Sequence, residues 1–492
     1  MHWIQNDGIA VNQEYIPDGM EMDDKNRLLR SIPQVEKLLQ NTDISRFVAD
    51  IGRAQVADAV RAVIGAFRES VEKGERPDDA GIVPAVVGEC ERIRLLRLQR
   101  VINGTGVIIH TNLGRSPVSE AILKRMAAAL SGYSNLEFDL SRRERGRRGG
   151  FAEALIRQAT GAEDAVVVNN NAASVFLILS EFARGSEVIV SRGELIQIGG
   201  GFRLPDIMRQ SGALLVEAGT TNVTVIGDIR AAATERTAMI FSSHRSNFKI
   251  TGYTAEPSPE ELTALRDELS AREGRPVLYV RDLGSGNLAD DARLPRPFEP
   301  AVAGEIGRGA DLVCFSGDKL LGGCQAGIIV GKKELVSRIR KSPLMRMVRA
   351  DKFAYFILQE TILEYINGKF DALPLWRAML EDPAAASVRI GKFIRAMTSP
   401  DRKALVKRVP TRSVIGGGAM PGFEMDSRGV RIDIPGAAPD EVYAAFAASP
   451  VPVIGSIVDG HFTLDFRTIA DAEIAPLARS ADAVIALFAG RR

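Results

Sequence analysis

Three textures of apolar and polar positions follow one another along the chain. Val56, Val60, Val63, Ile64 and Phe67 recur at the spacing of one helix face. The segment from Glu75 to Asp79, with Pro77, interrupts this pattern, and Val86 to Leu98 resumes it. The spacing predicts an all-helical module over residues 25–100, preceded by a polar, aperiodic and flexible tail over residues 1–24. From Val101 the pattern changes to short apolar, β-branched runs: Ala165 to Val168, Glu187 to Val190, Leu214 to Glu217, Ala238 to Phe241, Val277 to Val280, Leu312 to Phe315 and Gly327 to Val330. Such runs alternating with helical segments predict an α/β domain over residues 101–370, with a mostly parallel seven-stranded sheet covered by helices. Residues 371–492 mix helical segments with apolar stretches at Val414 to Met425, Val430 to Ile434 and Val453 to Phe466, the pattern of a smaller α+β domain.

Composition narrows the class. At 492 residues, 45% hydrophobic and 25% charged, the chain reads as a soluble protein of two or three domains. It shows neither the long uncharged apolar run of a membrane helix nor the basic-then-apolar order of a secretory signal, so a cytoplasmic protein without a membrane partner is expected. Cys90, Cys314 and Cys324 are too few and scattered for a disulfide framework, and His2, His110, His244 and His461 lack metal-ligand spacing; no metal is expected. A net charge of +1 gives no global field for nucleic acid, so RNA contacts would need a local patch. Two are available: Lys332 to Lys352, with Lys333, Arg338, Arg340, Lys341, Arg346 and Arg349, and the stripe Arg92, Arg94, Arg97 and Arg100. Either can equally be a solvated helix face.

The chemistry concentrates in three strand-end segments. In Ser316-Gly317-Asp318-Lys319-Leu320-Leu321-Gly322-Gly323, a lysine flanked by small residues leaves room for a flat ring to form a Schiff base, with Ser316 in reach of a phosphate. Asp282, in Arg281-Asp282-Leu283-Gly284-Ser285-Gly286, can keep a pyridinium nitrogen protonated, or can simply cap the next turn. Asn169-Asn170-Asn171-Ala172-Ala173-Ser174 marks a strand-to-helix turn whose amides, at Asn171, Ala172 and Ala173, can hold a phosphate; an ordinary asparagine cap is the alternative. Their order, phosphate turn, then aspartate, then lysine, favours one site binding pyridoxal 5'-phosphate at Lys319.

With these residues stand VINGTGVIIHTNLGRSP (Val101 to Pro117), SRGELIQIGGGFRLPDIMRQSGA (Ser191 to Ala213), DLGSG, FSGDKLLGG and SPLMRMVRADK (Ser342 to Lys352). Together they resemble the bacterial selenocysteine synthases, the L-seryl-tRNA(Sec) selenium transferases, from Arg30 to Thr468. The resemblance implies an aspartate-aminotransferase-like, fold-type-I pyridoxal-phosphate enzyme. In the implied reaction Lys319 releases the coenzyme aldehyde to the amino group of serine esterified to tRNA(Sec) and removes the α-proton. Loss of the β-hydroxyl leaves aminoacrylyl-tRNA, to which selenium from selenophosphate adds. Asp318 is implied as an aid to proton transfer, His244 as a cofactor contact, and Arg115, Arg346 and Arg349 as the selenium-donor site. An ester has no free carboxylate, so pocket arginines are available to an anionic donor. Glu194 and Arg203 fall in matching segments without an assigned role. The resemblance further implies tRNA recognition by the helical module and a homo-oligomer, a decamer. The chain departs from the pattern at Val223, Val225, Phe151, Cys324 and Ser456. Two rival readings remain: a related pyridoxal-phosphate lyase or transferase acting on a small amino acid or amino sugar without tRNA, and a catalytically idle tRNA-binding scaffold.

Overall fold

The computed structural model describes residues 22–198 and 201–489. The tail expected over residues 1–24 lies outside the described residues as far as residue 21, and Met22 already starts a helix, Met22–Ser31. Two compact units divide the chain, Met1–Arg100 and Val101–Arg492.

In the first unit, helices α1 (Arg53–Glu72) and α2 (Ile82–Leu95) bury the apolar face read from the sequence: Val56, Val60, Ile64 and Phe67 close on Ile82, Val86 and Cys90. Helix α2 stops at Leu95, and Leu98, expected on the same amphipathic stretch, is fully exposed. Arg92, Arg94 and Arg97 of the arginine stripe are paired within the unit. Arg92 meets Glu89 at 2.7 Å, Arg94 meets Glu91 at 2.5 Å and Arg97 meets Asp50 at 3.1 Å.

The second unit holds a seven-stranded sheet: β1 (Asp164–Val168), β2 (Glu187–Ser191), β3 (Leu214–Ala218), β4 (Thr237–Ser243), β5 (Leu278–Gly284), β6 (Leu312–Ser316) and β7 (Gly327–Gly331). Their order across the sheet is β1-β7-β6-β5-β4-β2-β3. All pairings are parallel except those of β7, which runs antiparallel to both β6 and β1. The strands read as continuous apolar runs because both faces are covered. Ala165, Val167, Ile240, Tyr279, Val313 and Phe315 face one core, and Val166, Val168, Met239, Val280, Leu312 and Cys314 face the other. All seven expected runs are strands. The fifth continues past Val280 to Gly284, which places Asp282 inside the strand rather than beyond it.

Helix α3 (Asn171–Phe182) leaves β1, and α4 (Lys333–Lys341) follows β7. Much of the basic run from Lys332 is neutralised by acids of this unit. Lys332 meets Asp311 at 2.6 Å, Arg338 meets Glu181 at 3.4 Å, and Arg340 meets the buried Asp164 at 2.8 Å and Glu153 at 3.5 Å. Burial pushes the Glu153 carboxyl up to about 7 against the pull of Arg147 and Arg340.

The C-terminal part packs α5 (Pro383–Ala396), α6 (Pro439–Ala447) and α7 (Ile474–Ala489) on a sheet of β8 (Val406–Gly416), β9 (Ala419–Ile432), β10 (Ser456–Val458) and β11 (His461–Asp465), ordered β8-β9-β11-β10. The single run expected from Val414 to Met425 is in fact the tip of the β8–β9 hairpin. Gly416, Gly417 and Gly418 all adopt positive φ (74°, 57° and 80°), and a Cβ on Gly417 would lie 2.3 Å from Ile109 Cγ2. Among the described residues no helix is long and apolar enough to cross a membrane.

Gly327 lets the first residue of β7 pass directly beneath the turn that opens α3, because a Cβ there would sit 2.1 Å from the Asn170 carbonyl oxygen and 2.4 Å from Ser174 Oγ. Gly327→Ala is therefore expected to lower the unfolding free energy by about 1–3 kcal/mol, the usual range for overpacking, as read from the urea midpoint.

Candidate active site

Lys319 stands in the connection between β6 and β7, and this connection is folded tightly on itself. The amide of Gly317 donates to the Ala326 carbonyl and that of Gly323 to the Gly317 carbonyl, both at 2.9 Å, while the Leu320 amide reaches the Ser285 carbonyl at 2.8 Å. Gly317 is required here, since a Cβ would come 2.6 Å from the Cys324 carbonyl oxygen. The lysine is left 8% exposed, and its amine makes no hydrogen bond or ion pair among the described residues. Burial lowers its pKa, opposed by the negative field of Asp282 and assisted by the positive charge of Arg115. A buried, unpartnered amine of reduced basicity is the state in which a lysine attacks a carbonyl.

Asp282 lies on the neighbouring strand β5, paired with Cys314 of β6 and Ser243 of β4. Its Oδ1 accepts from Asn171 Nδ2 at 2.8 Å and from the Gly284 amide at 3.0 Å. Burial raises its pKa; Asn171 and Lys319 pull the other way. The register between β5 and β6 slips between Asp282 and Gly284, the local irregularity that ends regular pairing beside the site.

The Asn171 turn differs from the expectation in one respect. Asn170 caps α3 by accepting from the Ala173 amide at 2.9 Å, so Ala173 has no free N–H to offer a phosphate. The amides of Asn171 and Ala172 carry no hydrogen bond among the described residues, and they remain as donors at the positive end of a 12-residue helix. Asn171 Oδ1 is buried without a partner. Ser316 closes β6, 6% exposed.

Asp318 and Arg115 meet at 2.8 Å, and Asp318 Oδ1 is buried without a partner. Arg115 has φ +64°, and the next amide, of Ser116, donates to the Asp318 carbonyl at 3.1 Å; the loop from Val101 is thereby fastened onto the lysine segment. Arg349 pairs with the end of β1 at Val168 and stands 3.8 Å from Glu137. Arg346, three residues earlier, is exposed and has no carboxylate partner among the described residues. Lys319, Asp318, Arg115, Asp282 and Asn171 are thus joined by direct contacts or mutual fields, whereas no contact ties Arg346 or Arg349 to Arg115.

His244 follows β4, with its amide on the Asp282 carbonyl at 2.8 Å and its Nε2 2.8 Å from Glu299. Sequence reasoning did not find Glu299, which sits in an irregular segment among other acids without a motif. Glu194 is buried, accepting from Ser242 Oγ at 2.8 Å and the Ser243 amide at 3.2 Å, with Arg281 at 3.8 Å; it braces the end of β4 from behind. Arg203 bonds Gln197 at the surface. Of the departing positions, Phe151 and Val225 are exposed, and the Cys324 thiol is pushed up to about 12 by burial.

Comparison with known proteins finds relatives along nearly the whole chain. The family model for L-seryl-tRNA selenium transferase matches residues 101–470, and that for the selenocysteine synthase N terminus matches residues 29–68. The L-seryl-tRNA(Sec) selenium transferase of Geobacter sulfurreducens is 42% identical over 451 residues, covering 89% of this chain and 96% of the relative. Its namesake in Carboxydothermus hydrogenoformans is 39% identical, covering 91% and 96%. Among solved structures, a D-glucosaminate-6-phosphate ammonia-lyase superposes with a TM-score of 0.54 at 18% identity over 80% of this chain and 97% of its own, a likeness of fold. The chain belongs to the L-seryl-tRNA(Sec) selenium transferase family.

Proposed function

We propose that this protein converts L-seryl-tRNA(Sec) to L-selenocysteinyl-tRNA(Sec), with selenophosphate as selenium donor and pyridoxal 5'-phosphate as coenzyme. Beyond family membership, the observation that carries the reading is the buried Lys319 amine, without a hydrogen-bond or ion-pair partner among the described residues and one strand away from a buried carboxylate. The residues fit the coenzyme: Lys319 for the aldehyde, Asp282 for the ring nitrogen, the Asn171 and Ala172 amides with Ser316 for the phosphate, and His244 beside the ring. When bound, the coenzyme supplies an electron sink that acidifies the substrate Cα–H.

The chain's own groups supply the rest. With its basicity reduced by burial, the Lys319 amine spends more of its time neutral and can accept a proton. Asp318 is adjacent, and its unpartnered Oδ1 is available to hold a proton near the departing hydroxyl. Arg115, held by Asp318 through one nitrogen, and the free guanidinium of Arg346 suit an anionic donor, with Arg349 beside the turn at Asn169. The helical unit is assigned to tRNA recognition, where the exposed Arg92 and Arg97 would exchange their carboxylate partners, pairs of little net worth, for phosphates, while the largely buried Arg94 keeps Glu91. A decameric assembly and a cytoplasmic location belong to the same reading.

Incubation of the purified protein with seryl-tRNA(Sec) and selenophosphate is expected to yield selenocysteinyl-tRNA; turnover of a free amino acid with no such product overturns the reading in favour of a tRNA-independent lyase. Lys319→Ala is expected to abolish both this product and the coenzyme absorbance band near the visible edge. Arg346→Ala should raise KM for selenophosphate about 10- to 100-fold, the equivalent of one charged hydrogen bond, leaving KM for seryl-tRNA unchanged. In coenzyme-free protein the folded-state pKa of Lys319 lies below the 10.5 of an ordinary lysine, so the unfolded chain binds more protons between the two values and burial of the amine costs stability below them. Lys319→Met should therefore raise the Tm of coenzyme-free protein at pH 7, and the gain should shrink as pH approaches 10.

A further inference from the structure

The glycine turn of the C-terminal sheet and the imidazole of His244 are held by the same carboxylate. Glu299, 5% exposed, accepts at Oε2 from His244 Nε2 (2.8 Å) and Ser285 Oγ (2.9 Å), and at Oε1 from the Met420 amide (2.7 Å). Its own carbonyl accepts from Asn287 Nδ2 at 2.8 Å, which fixes the backbone behind it. Burial alone would push this carboxyl up, but the bonds from His244, Met420 and Ser285 outweigh it and hold the group below the usual carboxylate range. An ionised carboxylate only accepts hydrogen bonds, so His244 must carry its hydrogen on Nε2, leaving Nδ1 as the other face of the ring.

The other end of the bond network reaches the lysine by two routes. Ser285, bonded to Glu299, accepts from the Leu320 amide at 2.8 Å, the residue next to Lys319. Met420, at the unusual φ of +50°, stands two residues past the turn at Gly416 to Gly418, and a Cβ on Gly418 would lie 3.3 Å from Lys319 Nζ and 3.6 Å from Ser246 Oγ. On the far side the amides of Ile108 and Ile109 bond the carbonyls of Val414 and Ile415 at 3.0 and 2.7 Å. The turn is therefore the wall over the amine: Ile415 and Ala419 pack in the core beside Leu320, main-chain bonds tie one side, and on the other, among the described residues, Glu299 takes the Met420 amide.

We propose that Glu299 is a positioning residue for the reaction, setting the tautomer of His244 and holding the glycine turn against Lys319 through a single carboxylate. The consequence for catalysis rests on the activity proposed above; the positioning itself does not. The two roles separate chemically. In Glu299→Gln the amide oxygen can still accept from Met420, but its NH2 group faces Nε2 of His244 and forces the hydrogen to Nδ1. In Glu299→Ala both restraints go.

Hydrogen exchange of the peptide spanning residues 415–421 and nitrogen chemical shifts of protein labelled only in its four histidines read the two roles without coenzyme or tRNA. Glu299→Gln should leave exchange of the turn within about twofold of the parent while moving the His244 signal to the other tautomer. Glu299→Ala should speed that exchange tenfold or more, and His244→Ala should leave it unchanged. An unchanged His244 signal in Glu299→Gln, or faster turn exchange in His244→Ala, overturns the proposal; since neither variant removes a methylene-packed core group, both report even where Glu299→Ala fails to fold. In the seryl-tRNA assay Glu299→Gln should lower kcat tenfold or more with KM within twofold. An unchanged kcat beside a shifted tautomer overturns the catalytic consequence alone, and a complete lack of product in the parent protein bears on the activity and not on Glu299.

Discussion

A lysine amine kept out of water with no partner is costly to build, and most of the second unit serves to make it tolerable. The amine sits on a short, self-bonded connection between two core strands, with one carboxylate across the sheet and a second at the adjacent residue. Remove the sheet order and none of these groups meet: Asp282 comes from β5, Lys319 from the end of β6, Asn171 from the end of β1, and only β7, inserted antiparallel between β1 and β6, brings the last two to one side.

The same economy governs the other buried charges. Arg281 occupies the strand position before Asp282 and faces the opposite side, where Glu194, Glu305 and Ser242 enclose it. Alternation along β5 thus sends the guanidinium into a paired structural cluster and the neighbouring carboxylate into the site. At the start of β1, Arg147 and Arg340 close on Glu153 and Asp164. Such clusters add little net stability, but losing one member leaves its partner uncompensated.

What the sequence revealed follows from these constraints. Strands buried on both faces are continuous β-branched runs, so all seven were legible, and the groups at their ends, Lys319, Asp282 and Asn171, could be ordered into a site. Long-range hydrogen bonding left no such trace. Glu299 meets His244 and Met420 across 55 and 121 residues of sequence respectively, and nothing near it in the chain signals either partner. Ala173 looked like a phosphate donor because the cap by Asn170 depends on a side-chain rotamer. Arg340 looked like part of a solvated stripe because its acids come from far along the chain, Glu153 from a helix and Asp164 from the start of β1. The β8–β9 tip was read as one apolar stretch, because the positive φ values that turn the chain at three glycines are invisible in a hydropathy pattern.

The placement of β7 also dictates a schedule for the nascent chain. The first strand of the sheet has no neighbour except β7, so while the ribosome is still making residues 170–326 that strand has no ladder to join, and its apolar faces must be shielded by the helices already emerging. The turn at Asn171 can take its final place only after residue 331 has left the exit tunnel. The surroundings of Lys319 are consequently completed late in biogenesis, and a chain stalled short of β7 would present an unpaired hydrophobic edge to chaperones or to its neighbours.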